Sequence, residues 1–214
     1  DLASLAGTTP ASVICEILND DGSMARLPDL IKFSKKHGIK IGTIADLIEY
    51  RSKKEKLIKK ISEEEVSTEF GMMKLIVYSD LLSKNTHLAF VKGTIKKDDE
   101  VVVRVHEPLS ILDFVSKETP HSWPPLKALK KISDEKNGVV IFLNYNESQN
   151  NITSKLNHEN ITLKKSTDLR SYGIGSQILV DIGVSKMKLL AAPRKMPSMA
   201  GYGLQVTEFI ENNI

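Results

Sequence analysis

Glu16 is the first residue of this sequence with the surroundings that acid–base chemistry requires. It lies in VICEI (13–17), where its neighbours other than Cys15 are aliphatic. Burial among apolar side chains raises the pKa of a carboxyl group, so that it can accept and release a proton near neutral pH. The alternative is a carboxylate salt-bridged on a helix face, and composition alone favours that alternative. Cys15 is predicted to be a small buried apolar side chain and not a nucleophile.

Two pairs of charged residues lie where α/β folds build their sites. Arg104 and His106 end an apolar run, and an Arg with a His at a strand end could hold a phosphate. Asp168 and Arg170 are two residues apart just before a predicted helix. On an extended segment they would share a face, and the Asp could orient the Arg or move a proton. Ordinary surface charges are the alternative for Arg104 and His106.

Several other residues are predicted to have no part in chemistry. His87 and His121 are isolated in the sequence, and prolines follow Trp123, which favours a packing or interface role for it. Gly173 and Gly175 resemble half of a phosphate-binding loop, but a lone G-x-G is a weak signal.

The composition excludes several functional classes. With 214 residues and a net charge of +3, the chain is one large domain or two small ones and is too weakly basic to predict a nucleic-acid partner. Its single cysteine excludes an internal disulfide and fits a reducing cytosol. No apolar run approaches the roughly 20 residues that cross a bilayer, and the first residues do not resemble a signal peptide. We therefore predict a cytoplasmic protein with no membrane partner.

The elements that position these residues fall into two parts. Residues 1–50 are predicted to form helices at 11–18, 29–36 and 44–50, with a glycine cap at Gly38 and a short strand at 39–41. Residues 66–214 are predicted to alternate between strands and helices. The strands lie near 66–71, 73–77, 88–90, 101–105, 139–143 and 188–192, the helices near 126–132 and 175–179, a hairpin-like turn at 96–100 and a polar loop at 144–160. This alternation predicts an α/β domain.

A charge run separates the two parts. Residues 51–65 contain a basic block followed by Glu63, Glu64 and Glu65. The adjoining acidic block cancels the positive field, which disfavours a nucleic-acid or membrane patch. We therefore predict a solvated connector helix and place the domain boundary there.

Residues 1–50 resemble the C-terminal quarter of 3,4-dihydroxy-2-butanone 4-phosphate synthase. The matching stretches are DLASLAGTTPASVICEI (1–17), NDDGSMARLPDL (19–30) and IGTIADLI (41–48). The resemblance implies conversion of ribulose 5-phosphate to the four-carbon riboflavin precursor and formate, with magnesium, and gives Glu16 a role in substrate contact and proton transfer. The family's metal ligands precede this stretch, so we expect this chain to be inactive in isolation.

Residues 66–214 resemble GTP cyclohydrolase II, which follows the synthase in bifunctional riboflavin proteins. The matching stretches are TEFG (68–71), HLAFVKG (87–93), VRVH (103–106), GVVIFL (138–143), DLRSYGIGSQIL (168–179), PRK (193–195) and GYGL (201–204). The resemblance implies that Asp168 is a proton acceptor, Arg170 a nucleophile and Lys195 a nucleotide contact. Arg104 and His106 are assigned to substrate binding.

The departures from this family concern its catalytic zinc, which three cysteines hold. This chain has no cysteine after Cys15; Pro108 or a neighbour takes the place of the first, and TPHSWP (119–124) replaces the other two. The phosphate-handling segment has become YNESQNN (145–151). His106, Asp113 and His121 are an alternative metal site, but we predict that zinc is absent and that this domain is inactive, structural or regulatory.

The expected fold is therefore α/β (α+β): the helical tail of a synthase domain at 1–50, a charged connector at 51–65 and a mixed-sheet GTP cyclohydrolase II-like domain at 66–214. The expected function is the synthase reaction of riboflavin biosynthesis, in a homodimer. Two alternatives stay open. One is an active GTP cyclohydrolase II with an atypical metal site, which converts GTP to a diaminopyrimidine phosphate, formate and pyrophosphate. The other is a nucleotide-binding module without catalysis, which convergence of Arg104, Arg170 and Lys195 on one pocket would support.

Overall fold

The chain folds into two compact units, residues Asp1–Thr43 (unit 1) and Ile44–Ile214 (unit 2). The computed structural model describes residues 1–107, 112–115, 123–144, 168–194, 196 and 199–212. Within these ranges no helix has both the length and the apolar composition that crossing a membrane requires. The two units are described separately.

Unit 1 contains helices α1 (Leu2–Leu5) and α2 (Leu27–His37). Helix α2 begins with a side-chain cap, because the Asp29 carboxylate accepts a hydrogen bond from the Arg26 N–H at 3.0 Å. It ends at Gly38, whose φ of 64° is the left-handed conformation that glycine adopts without steric cost. The glycine cap predicted from the sequence is confirmed.

The helix expected at 11–18 is wrong. Residues 11–17 have no regular secondary structure, and Leu18 forms an isolated antiparallel bridge with Met24. Short helices in proteins depend on packing of an apolar face, and Val13 and Ile14 are fully exposed here. The short strand expected at 39–41 is also not formed.

Unit 2 is built on one mixed seven-stranded sheet with the strand order β1-β2-β3-β5-β4-β6-β7, which confirms the mixed α/β architecture. Its elements in chain order are α3 (Ile44–Lys54), β1 (Ile58–Thr68), β2 (Gly71–Asp80), β3 (Thr86–Lys92), β4 (Glu100–His106), α4 (Leu112–Val115), α5 (Pro125–Ser133), β5 (Gly138–Phe142), α6 (Asp168–Ile182), β6 (Lys186–Leu190), a 3₁₀ turn (Ala200–Tyr202) and β7 (Gln205–Ile210).

The charge run at 51–65 is not a connector helix. Helix α3 ends at Lys54, and β1 begins at Ile58 as an edge strand paired with β2. The Gln177 side chain holds the intervening residues, because it accepts from the Leu57 N–H and donates to the Glu55 carbonyl, both at 2.8 Å. Charged side chains and an irregular register are common on edge strands, where they discourage pairing with another chain. The compact units accordingly divide before α3 and not after it.

Strand β5 decides the topology. It pairs antiparallel with β3 on one side and parallel with β4 on the other, so the turn at 96–100 joins two strands that are not neighbours. The hairpin-like turn expected there is therefore not a hairpin. All five residues of β5 are buried, which confirms the prediction of a strand covered on both faces.

The core lies on both faces of the sheet. Val101 and Val103 of β4 pack in the cluster that contains Ile178 of α6, whereas Val102 packs with Leu129 of α5. The alternation of side chains along β4 therefore directs successive residues to helices on opposite faces. This arrangement determines on which face each polar side chain at the end of β4 lies.

Candidate functional site

The polar residues expected at a strand end lie at the carboxyl ends of β4 and β5. His106, the last residue of β4, is in register with Phe142, the last residue of β5, and the two strands are parallel. Helix α5, between β4 and β5, covers one face of the sheet, and α6, which follows β5, covers the other. In open α/β sheets ligands bind where neighbouring connections diverge in this way.

His106 forms a buried pair with Asp113. The His106 Nε2 and the Asp113 Oδ2 lie 2.9 Å apart, and both side chains are almost completely buried. The His106 ring packs edge-on against Phe142, with ring centroids 6.0 Å apart. A carboxylate in this position fixes the orientation of the imidazole and stabilises its Nε2–H form.

Arg104 lies on the same face of β4, two residues earlier. It is only 7% exposed, and its Nη1 donates to the carbonyl of Leu190 at the end of β6 at 2.8 Å. Burial, together with the charge of nearby Arg194, lowers the pKa of Arg104 to about 10, and Asp113 opposes the shift. The guanidinium remains charged at neutral pH, and its buried Nε–H has no acceptor in the described part of the chain.

Trp123 has the packing role that was one of its two expected roles. It is buried in the cluster that contains Phe142 and Leu190, and its Nε1 donates to the carbonyl of Ile210 at 2.8 Å. This hydrogen bond holds the start of α5 against the end of β7. Arg104 and Trp123 thus satisfy the terminal carbonyl groups of two neighbouring strands.

His87 belongs to this edge of the sheet, although the sequence predicts no role for it. It is fully buried beside Leu88, which is in register with Phe142, and its Nδ1 accepts a hydrogen bond from the Asn144 N–H at 3.2 Å. Its side chain faces away from His106, because neighbouring residues of a strand point to opposite faces. Only the antiparallel pairing of β3 with β5 brings His87 to this edge, and no local sequence pattern indicates it.

Asp168 and Arg170 do not lie on an extended segment. Both are in the first turn of α6, where positions two apart do not share a face. Gly173 and Gly175 are inside the same helix and do not form a phosphate loop. A Cβ on Gly175 would lie 3.4 Å from Val105 Cγ1, an ordinary contact distance, so α6 packs against β4 at this position. Lys195 and His121 lie outside the described residues.

Glu16 is exposed in unit 1, on the segment without regular structure. The burial on which its expected proton transfer depended is therefore not present in this chain. Cys15 is also exposed, against the expectation of a buried side chain.

The residues present do not fit the three-thiolate zinc site that the resemblance implies. Cys15 is the only cysteine of the chain, and it lies in unit 1. In the part of the chain that the structure describes, no three His, Cys, Asp or Glu side chains are grouped closely enough to hold a metal ion. His106 and Asp113 are two possible ligands, and they are hydrogen-bonded to each other.

Comparison with protein families divides the chain in the same order as its two sequence resemblances. Residues 59–211 match the family model of GTP cyclohydrolase II, and residues 1–50 match that of 3,4-dihydroxy-2-butanone 4-phosphate synthase. The match to GTP cyclohydrolase II begins at Lys59, the second residue of β1. Helix α3 begins inside the match to 3,4-dihydroxy-2-butanone 4-phosphate synthase, although it belongs to unit 2.

Similar proteins are longer than this chain. A 3,4-dihydroxy-2-butanone 4-phosphate synthase of Neisseria meningitidis serogroup B is 46% identical over 211 residues, which cover 99% of this chain and 58% of that protein. The riboflavin biosynthesis protein RibBA of Aquifex aeolicus is 42% identical, with 97% of this chain and 55% of that protein covered. The crystal structure of RibBX, a two-domain 3,4-dihydroxy-2-butanone 4-phosphate synthase from A. baumannii, is 37% identical with a TM-score of 0.59, and the match covers 98% of this chain and 56% of that one.

Proposed function

The chain belongs to the GTP cyclohydrolase II family, and from this membership and the synthase match at residues 1–50 we propose that it is part of a protein of riboflavin biosynthesis. The proposed reaction of the whole protein is the synthase one, from ribulose 5-phosphate to 3,4-dihydroxy-2-butanone 4-phosphate and formate, with magnesium as its metal. In this proposal unit 2 is a cyclohydrolase scaffold without cyclohydrolase activity, with a structural or regulatory role.

One observation carries the proposal about unit 2: the chain has a single cysteine, which is exposed in the other unit. Zinc opens a purine ring by activating a water molecule, and it does so only where ligands hold it. The site at the carboxyl ends of β4 and β5 contains the His106–Asp113 pair and Arg104 in place of thiolates. His106 and Asp113 are two possible zinc ligands, fewer than the three protein ligands of a catalytic zinc site, whereas Arg104 is a cation that can hold an anion.

Formate release tests both parts, since each reaction produces formate from a different substrate. The full-length protein is incubated with magnesium and either ribulose 5-phosphate or GTP. We expect formate from ribulose 5-phosphate only, and none from either substrate with the 214-residue chain. Formate from GTP, together with stoichiometric zinc by metal analysis, would instead establish the active cyclohydrolase.

A non-catalytic phosphate or nucleotide site is the second candidate function of unit 2. It is favoured by Arg104, whose buried Nε has no partner in the described part of the chain and whose pKa is lowered in part by the nearby charge of Arg194. Two neighbouring cations at a strand edge are stabilised by an anion between them. Arg194 also lies over the Tyr172 ring, with its Cζ 5.6 Å from the ring centroid.

Calorimetric titration with GTP tests this candidate. Arg194 is exposed, so Arg194→Gln leaves the fold intact and is expected to weaken GTP binding about tenfold. Lys127→Gln, on the exposed side of α5, is the matched control and is expected to bind GTP as the unchanged chain does. Absence of GTP binding by the unchanged chain would contradict the candidate.

The homodimer and the cytoplasmic location stay predictions. Light scattering of the full-length protein tests the first, with a mass of two chains as the expected result. Cell fractionation tests the second.

A further inference from the structure

A groove in unit 2 lies apart from the site at the strand ends. It has a volume of about 790 Å³ and runs between α3, the start of β1, the second half of α6 and the 3₁₀ turn. We propose that this groove binds a small molecule that carries a phosphate monoester on a flat, largely apolar ring. The proposal does not depend on the reaction assigned to the protein.

The position of the groove separates it from the carboxyl ends of the strands. It is lined by Gln177, Val180 and Asp181, whereas α6 begins at Asp168. At 1.5 Å per residue, Val180 is about 18 Å along the helix from Asp168. A ligand in the groove therefore occupies a different place from a ligand at His106. It would instead contact α3 through Glu49.

Two lysines give the groove unpaired positive charge. Lys56 and Lys59 both line it, both are exposed, and neither has a carboxylate within ion-pair distance in the described part of the chain. Both line the same groove, so in this proposal one phosphate dianion accepts hydrogen bonds from the two ammonium groups. Charge-assisted hydrogen bonds of this kind are among the strongest that proteins form.

Glu49 and Asp181 are the acidic residues of the lining, and neither lies within ion-pair distance of Lys56 or Lys59 in the described part of the chain. The Asp181 carboxylate accepts from the Tyr78 hydroxyl at 2.7 Å and lies 3.5 Å from Lys60 Nζ. Lys60 also pairs with Glu63 at 3.1 Å. The third lysine of the groove is thus already paired, and Lys56 and Lys59 are the lining cations without a carboxylate partner among the described residues.

Apolar side chains form the rest of the groove. Leu81 is 37% exposed and Val180 is 47% exposed, and Ile58 and Tyr202 are partly buried beside them. Burial raises the pKa of the Tyr202 phenol, so it remains neutral and its ring can stack on a flat ligand. Pockets of this volume, mostly apolar with a few charged groups at one end, are typical of small-molecule sites.

The test uses the 214-residue chain, isotopically labelled for methyl NMR, and three probes: AMP, adenosine and inorganic phosphate. AMP carries both halves of the proposed ligand, and each other probe carries one. We expect AMP to bind saturably, with shifts at the methyl groups of Leu81, Val180 and Ile58. Adenosine and phosphate are each expected to bind at least about tenfold more weakly.

Two variants locate the site. Lys56→Gln combined with Lys59→Gln is expected to weaken AMP binding about tenfold or more. Lys96→Gln combined with Lys97→Gln makes the same charge change in the exposed turn before β4 and is expected to leave the affinity unchanged. Leu81→Ala should weaken AMP binding several-fold without changing the affinity for phosphate.

Three results would overturn the proposal. The first is that AMP does not bind saturably at millimolar concentration. The second is that AMP and phosphate bind with equal affinity, and the third is that the two double-lysine variants lose equal affinity for AMP. The last would show that AMP responds only to net charge. Shifts at the groove methyls that disappear only in the Lys56 and Lys59 variant would support it.

Discussion

Unit 1 and unit 2 differ in how their structure is stabilised. In residues 1–43, all of which the structure describes, Ala25 at 8% exposure is the only buried residue. Unit 2 has a two-sided core on a seven-stranded sheet. Each unit matches a family by sequence, although only unit 2 contains a hydrophobic core. A family match of a segment therefore does not show that the segment has a core of its own. Local caps and turns stabilise unit 1, whereas burial of apolar side chains stabilises unit 2.

The largest expected effect is a core truncation in unit 2. Ile141 is fully buried in the central strand, so Ile141→Ala should lower the free energy of unfolding by about 3 kcal/mol. Ile14→Ala in unit 1 removes an exposed side chain and should leave the urea midpoint unchanged. Urea unfolding followed by the amide NMR signals of each unit measures both, and a similar loss in the two variants would contradict the comparison.

The next effect tests whether α3 belongs to unit 2. A Cβ on Gly201 would lie 2.9 Å from Ile48 Cγ2 and 3.0 Å from the Ala45 carbonyl oxygen, so Gly201→Val should cost about 2 kcal/mol by overpacking. Gly42→Val is the matched control, because open space surrounds that position. Hydrogen exchange should show faster exchange in α3 for Gly201→Val only; unchanged α3 protection would place this helix outside unit 2.

The His106–Asp113 pair is expected to contribute less. Asp113→Ala leaves a buried imidazole without its carboxylate and should lower the free energy of unfolding by about 1–2 kcal/mol. Asp21→Ala, in an exposed turn of unit 1, should not move the urea midpoint. An Asp113 variant as stable as the unchanged chain would mean that the pair is not structural.

The smallest expected effect is on the pKa of surface carboxylates, and it is compared for one carboxylate from each unit. A hydrogen bond from Arg51 lowers the pKa of Glu55, and hydrogen bonds from Ser23 lower the pKa of Asp21. The Arg51–Glu55 pair is about one-third exposed, so it is expected to stabilise unit 2 by only about 0.3–0.5 kcal/mol. Because the folded pKa of Glu55 is lowered, this stabilisation is present above the ordinary value of 4.5 and is lost as the pH falls below it.

NMR titration of the two carboxylates separates the causes. In 1 M salt the pKa of Glu55 should return toward its ordinary value, since its partner is a charged guanidinium. The pKa of Asp21 should change less, because its partners are a neutral hydroxyl and an amide. Equal salt responses would show that the Arg51 charge is not the cause.

Strand positions in unit 2 could be predicted from apolar patterns, alternating or continuous, and β5 is the clearest case. The continuous apolar run at 139–143 predicts a strand covered on both faces, and the structure buries all of β5. The prediction of a connector helix at 51–65 is wrong because the local pattern does not determine the structure there. The charged residues of this segment fit a solvated helix locally. Residues 51–54 are helical in α3, and pairing with β2 makes the part from Ile58 onward a strand.

The candidate site was predicted in part. Arg104 and His106 were placed at a strand end from the apolar run before them, and β4 ends at His106. The partner of His106 could not be predicted, because Asp113 reaches it through the connection that follows β4. The position of His87 at the same edge could not be predicted, because antiparallel pairing with β5, and no local pattern, brings it there.

Residue identity by itself determined the two family resemblances, the order in which they occur and the lack of thiolates in residues 66–214, since these depend only on which side chains are present. Tertiary structure decided the rest. It assigned α3 and β1 to unit 2, buried Arg104 without an acceptor for its Nε–H among the described residues, and left Glu16 exposed. The physical reason is that burial and strand pairing join residues far apart in the chain, so the surroundings of a side chain are set by neighbours that its local sequence does not contain.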